Sequence, residues 1–162
     1  MKRISTRFIT QGAVIAATYV VLTFVSNLLG LASGAVQLRI SEALTVLPYF
    51  TPAAIPGLFI GCLLSNLLTG SAAWDVIIGS AATLIGAVFS RLLRKNKWLV
   101  PVPPILANAL IIPFVLRFVY DAAGTVPFFM LTVGAGEIIC CGVLGLPLLR
   151  LLESRGGVLF RQ

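Results

Sequence analysis

Apolar residues run almost without interruption along this chain, and the polar positions that break them fall at the spacing of bilayer spans. The runs predict six helices, over residues 7–30, 36–50, 52–68, 74–93, 104–120 and 126–152. Small residues from Gly30 to Ala35, the pair Pro48 and Pro52, the segment Thr69 to Ala73, the prolines Pro101, Pro103 and Pro104, and Gly124 punctuate them. Pro113 is expected to kink the fifth helix. The short alternating segments of a membrane β-barrel are absent. The expected class is therefore all-α: a polytopic six-helix bundle forming one transmembrane domain over 1–162.

The second helix is the doubtful span. At 1.5 Å per residue it reaches roughly 22 Å, short of a hydrocarbon core of ~30 Å. Charge resolves the ambiguity. If all six helices cross, the amino terminus, the 91–97 cluster and the carboxyl terminus share one side. That side then collects ten of the 12 Lys and Arg residues, all but Arg39 and Arg117, and is cytoplasmic by the positive-inside rule. A re-entrant second helix would split the basic residues between the two sides. The net charge of +7 is thus an orientation signal, and no soluble module exists to carry a nucleic-acid surface. Lys2, Arg3 and Arg7 precede the first run as in a signal peptide. The run is too long for one and shows no clear cleavage signal, so it is read as a retained helix.

Within this apolar background one stretch stands out, Gln37-Leu38-Arg39-Ile40-Ser41-Glu42-Ala43-Leu44-Thr45-Val46-Leu47-Pro48. On a helix Arg39 and Glu42 would leave the same face one turn apart. Each charge in a membrane segment costs about 2.5–3.5 kcal/mol on insertion scales. A chain that keeps both uses them or pairs them with each other. The first helix carries two overlapping small-xxx-small pairs, Gly12/Ala16 and Ala13/Ala17, which permit close approach of another helix; taken alone they read as internal packing.

The six-span topology brings the polar residues to one end. Arg39 and Glu42 open helix two there, Ser65 and Asn66 close helix three, and Asp75 begins helix four. Arg117 and Asp121 end helix five, and Glu137 lies partway down helix six; Asn108 sits nearer the middle. Polar groups from several helices at one depth suggest an outward-facing cavity. Ion pairs such as Arg39–Glu42 and Arg117–Asp121 are the plainer alternative. Carboxylates with an asparagine amide suit a flat heterocycle bearing N–H donors and a carbonyl, and the residues alone stop short of a named substrate.

The absences narrow the class. There is no P-loop and no histidine, and no Ser/His/Asp, Cys/His or metal-ligand set is available. Cys62, Cys140 and Cys141 lie inside apolar runs and read as core. No enzyme activity, metal or cofactor is expected. No internal repeat of a self-contained carrier is evident.

Residues 37–44 with Leu47-Pro48 resemble the signature of the queuosine-precursor transporter family, substrate-binding S components of energy-coupling-factor transporters. The resemblance extends over the whole chain, including the glutamate of helix six. It implies capture of a 7-deazaguanine precursor of queuosine, or of queuine, on the outer face of the cell membrane. It also implies docking onto a transmembrane coupling protein that carries two ATPase subunits, whose hydrolysis topples the S component and releases ligand inside. Ala13 and Ala17 match the pattern used for that docking, which reverses the reading of that pair as internal. Position then assigns Glu42 and Glu137 to the donor edge of the base, Asn66 and Asn108 as amide partners, and Arg39 to orient Glu42 or contact a carbonyl. Asp75 completes the candidate set. The short loop between helices one and two would bear on how the site is covered. The alternatives are an S component for another vitamin, a self-contained proton-coupled carrier using Glu42 or Glu137, and a small membrane enzyme or assembly factor, which the missing catalytic groups disfavour.

Overall fold

The computed structural model describes residues 5–31 and 37–155. Six α-helices form there: α1 (Thr6–Leu28), α2 (Ala54–Leu68), α3 (Ala73–Leu92), α4 (Val102–Phe118), α5 (Val126–Glu137) and α6 (Gly145–Ser154). No strand occurs among the described residues. Two non-α elements complete the order, a 3-10 helix over Ile40–Tyr49 and a π-helical segment over Ile138–Leu144 that joins α5 to α6 in one continuous rod. Three helical stretches, Thr6–Leu28, Ala73–Leu92 and Val126–Ser154, are long and apolar enough to cross a membrane, and α2 and α4 are shorter apolar helices. Large apolar side chains such as Val21, Ile77, Leu110, Phe118, Leu131 and Val143 point outward from these helices. An apolar exterior around a partly polar interior is the arrangement of a polytopic membrane bundle.

Five of the expected helices lie within two residues of their predicted bounds. The second does not form as an α-helix. It is a ten-residue 3-10 helix with Ser41 through Pro48 buried, and Arg39 precedes it in extended backbone (φ −102°, ψ 98°). At about 2.0 Å per residue it spans roughly 20 Å, longer than the same residues would cover as an α-helix. It runs through the bundle interior from the Arg39 end to the end where Arg91 donates to the carbonyls of Pro48 (2.8 Å) and Tyr49 (3.1 Å). The sixth expected helix is also irregular, widening into π geometry immediately after Glu137. α4 continues through Pro113, which is buried. The expected linker after Gly30 lies largely outside the described residues; Gly30 itself turns the chain with φ +68°.

Packing follows residue size. A Cβ on Gly57 would fall 2.7 Å from the Gly12 carbonyl oxygen, and one on Gly61 would fall 2.8 Å from the Tyr19 Cβ and 3.1 Å from the Ala16 backbone. The Gly12/Ala16 stripe of α1 therefore seats against Gly57/Gly61 of α2 at near-backbone contact. Ala13 and Ala17, one residue further round α1, are exposed. The two overlapping pairs thus separate into an inner face and an outer one.

The 3-10 helix presents three rows, because residues three apart eclipse one another. Leu44 and Leu47 join Ile15, Tyr19 and Leu58 in one apolar cluster. Val46 packs with Val100 and Leu149 in another. Glu42 and Thr45 face the π segment, where the Thr45 hydroxyl donates to Cys141 Sγ at 3.4 Å. Lys97 meets Glu153 at 3.0 Å and Arg150 lies over the Trp98 ring, so the end of α6 and the basic 91–97 segment share one end of the bundle.

Candidate functional site

At the opposite end, α1 fixes the 3-10 helix by a polar stripe. Tyr19, Thr23 and Ser26 are buried on one face. The Tyr19 hydroxyl donates to Glu42 Oε1, Thr23 Oγ1 donates to Ser41 Oγ at 2.8 Å, and Ser26 Oγ accepts from the Ile40 N–H at 2.9 Å. Buried polar groups are costly unless paired, and these three pairings set the register of the 3-10 helix against α1. They hold Glu42, 1% exposed, with one carboxyl oxygen tied to Tyr19. Its Oε2 is buried without a protein partner.

Glu137 approaches from α5. Asn108 Nδ2 donates to its Oε1 at 2.9 Å, and the Cys141 thiol lies 3.1 Å from its Oε2. Cys141 Sγ also sits 3.5 Å from the Glu42 backbone carbonyl. One oxygen of each glutamate and Cys141 Sγ lie within 4.8 Å of one another. The sequence offered no metal-ligand set, and its pattern placed Cys141 in the core. The fold bears out the second point, since the thiol is free and buried in the core, and it also sets Cys141 Sγ beside the two acids as a trio of possible donor atoms. That trio joins two distant stretches of chain, which spacing alone does not connect.

These side chains line a buried chamber of about 30 Å³, walled by Arg39, Glu42, Thr83, Asn108, Val133 and Glu137. Gly79 also borders it, and a Cβ there would come 3.2 Å from Asn66 Nδ2. Above the chamber lies a vestibule of about 410 Å³ whose lining includes Asn27, Ser71, Asp75, Leu116 and Tyr120. Gln37, Arg39 and Ile112 border both spaces. At the mouth the Tyr120 hydroxyl donates to Asp75 Oδ2 (2.8 Å) and accepts from the Ala72 N–H (3.0 Å), bridging α3 to the chain just past α4. Partial burial pushes the Tyr120 hydroxyl above its usual range, so it remains a donor at neutral pH.

The sequence-predicted residues sort as follows. Glu42, Glu137, Asn108 and Arg39 meet at the chamber, and Asp75 lines the vestibule. Asn66 is fully buried, and its Oδ1 accepts from the Arg39 guanidinium. It therefore steers Arg39. Arg39 does not form an ion pair with Glu42; among the described residues the ion pairs are Lys97–Glu153 and Arg117–Asp121. Glu42 is oriented by Tyr19 instead. Sequence reasoning missed Tyr19, Thr23, Ser26, Gln37 and Cys141 as parts of the site. The 19, 23, 26 spacing is a helical stripe of hydrogen-bonding groups, and it was the available signal.

Chemically, the arrangement offers acceptors from two carboxyl groups, a guanidinium and an amide, all in an enclosed space beneath a polar-rimmed antechamber. Such a site suits a small ligand with several donors and rejects analogues that leave its buried groups unpaired. The segment 37–44 supplies both Arg39 and Glu42. No solved structure matches this chain. The chain is 40% identical over 86 residues to a protein of Lactococcus lactis subsp. cremoris (strain MG1363) called queuosine precursor transporter QueT, over 52% of this chain and 50% of that one. The chain thus matches about half the length of that curated relative. A family model described as QueT transporter matches residues 9–154, nearly the whole length, and this chain accordingly belongs to the QueT transporter family.

Proposed function

We propose that this protein is the substrate-capture component of an energy-coupling-factor importer, taking up a queuosine precursor of the 7-deazaguanine class, or queuine. The observation that carries this reading is the meeting of Arg39, Glu42, Asn108 and Glu137 around one chamber below a vestibule, in a member of a transporter family. In this reading the vestibule opens to the cell exterior. The basic end of the bundle, with the amino- and carboxy-terminal segments, faces the cytoplasm. A transmembrane coupling protein docks on the exposed Ala13/Ala17 face of α1, and two partner ATPase subunits supply the energy. The exposure of that pair supports this division, since the neighbouring Gly12/Ala16 pair is already used inside the bundle.

The test has two parts. Calorimetry on detergent-purified protein, with a panel of guanine-like bases and vitamins, should return saturable binding for 7-deazaguanines and none for guanine or the vitamins. Vesicle uptake should require the coupling module and ATP, and Ala17→Leu should abolish uptake while binding is unchanged. A second reading draws on the closeness of Glu42 and Glu137, which would suit a proton-coupled carrier. Uptake by this chain alone, driven by a pH gradient, would establish that alternative and refute the first. Selective binding of a different vitamin would keep the S-component role and reassign its cargo.

A further inference from the structure

We infer that the chamber between Glu42 and Glu137 is a subsite for an ammonium group carried on the ligand's side arm, and that the planar ring itself lies in the vestibule. The inference rests on the transport reading above and reverses the orientation in which the acids bind the ring's donor edge.

Size is the first argument. The chamber holds about 30 Å³ and the vestibule about 410 Å³. By the volume a water needs, the chamber accepts roughly one or two water-sized groups. A bicyclic base does not fit there, whereas a methylene-linked nitrogen does. The vestibule has the size of an ordinary small-molecule pocket.

Donor and acceptor balance is the second argument. Glu42 Oε2 is buried and unpartnered at the chamber wall. Glu137 already accepts from Asn108 on one oxygen and faces the Cys141 thiol on the other. The guanidinium at the chamber, Arg39, is directed at Asn66. What the chamber lacks is a compact donor with positive charge. An ammonium brings three donors and reaches both carboxyl groups at once. A nitrile of similar length brings a lone pair toward the same oxygens.

The vestibule supplies what a ring needs. Ile112 and Leu116 offer an apolar face, while Gln37, Asp75 and Tyr120 offer polar groups for the edges. Ile112 borders both spaces, so a ring against it would have its side arm at the chamber entrance.

The experiment compares three probes by calorimetry on the purified full chain: 7-aminomethyl-7-deazaguanine, 7-cyano-7-deazaguanine and 7-aminomethyl-7-deazahypoxanthine, which lacks the 2-amino group. The wild type should prefer the aminomethyl over the cyano guanine by about tenfold or more, the worth of a charged hydrogen bond. Glu42→Gln should collapse that preference to a few-fold, with the cyano affinity held within about threefold and the discrimination for the 2-amino group intact. Retained cyano binding also reports that the variant is folded. If it is not folded, Glu137→Gln is measured in the same way and should give the same pattern. Loss of the 2-amino discrimination in either variant, with the aminomethyl preference unchanged, would show the ring edge at the acids and overturn the inference alone. Saturable Zn²⁺ binding that disappears in Glu42→Gln and Cys141→Ser would assign the trio to a metal and overturn it likewise. Failure of every base to bind the wild type would bring down the transport reading itself.

Discussion

Gly61→Val tests the packing that positions the site. A Cβ at Gly61 would stand 2.8 Å from the Tyr19 Cβ and 3.1 Å from both the Ala16 Cα and its carbonyl oxygen. Two of these neighbours are backbone, so no rotamer change relieves the contact. Ordinary carbon contacts begin near ~3.5 Å, so α1 and α2 must part by several tenths of an ångström before the two γ-methyls are accommodated. Overpacking of this kind costs about 1–3 kcal/mol. The gain in helix propensity on replacing glycine with valine returns only a few tenths, roughly 0.3 kcal/mol. The net loss should therefore be about 1–3 kcal/mol, and it acts at a specific place. Tyr19 is fully buried, and its hydroxyl is the group that holds Glu42. Moving its Cβ draws that hydroxyl away from the carboxyl. Thermal unfolding in detergent should fall, and ligand affinity at a temperature well below the transition should fall with it. Ala17→Val is the control: the same residue type on the exposed face of α1 should leave both unchanged. A Gly61→Val protein with the melting point and affinity of the wild type would refute the close α1–α2 contact and its link to Glu42.

Tyr19→Phe removes the hydroxyl donor without changing shape. It leaves both Glu42 oxygens unpartnered and should cost about 1–3 kcal/mol in unfolding free energy, measured by denaturant titration in mixed micelles. Asn66→Ala releases Arg39 from its anchor and should weaken ligand binding about tenfold if Arg39 must be held in place; unchanged affinity by calorimetry would remove Asn66 from the positioning set. Lys97→Met should leave the melting temperature essentially unchanged at any salt concentration, because the Lys97 and Glu153 side chains are 39% and 41% exposed and solvent screens the pair; a clear drop in thermal unfolding would mean that this pair clamps α6 more strongly than its exposure allows.

The helical layout was legible because bilayer spans write themselves as long apolar runs, and five of six bounds needed only end corrections. The acids were legible for a related reason. Glu42 and Glu137 stand in runs where a charge is expensive, and both prove buried at one chamber. What failed to appear was direction. Arg39 was placed on the Glu42 face by assuming helical backbone, and its extended φ, ψ sends it to Asn66 instead. Cys141 looked like packing because thiols in apolar runs usually are. Tyr19, Thr23 and Ser26 were passed over because single hydroxyls in a transmembrane helix can satisfy themselves on their own backbone; only their common face, and partners on another element, gave them a role.

The two places where the α-helical reading breaks are also the two places that build the site, and geometry explains why. In a 3-10 helix each third residue returns to the same face, whereas in an α-helix it lags by about 60°. With the observed geometry Glu42 and Thr45 share a row toward the π segment, while Leu44 and Leu47 share another toward α1 and α2. An α-helical winding would swing Thr45 and Leu47 away from those partners and leave a carboxyl or a hydroxyl against apolar packing. The π segment begins at the residue after Glu137, and Cys141 within it touches Glu137, the Glu42 carbonyl and Thr45. The irregular turn of one element is thus braced by the irregular turn of the other. The chamber forms where the two departures meet, between Glu42 of the 3-10 helix and Glu137 at the start of the π segment.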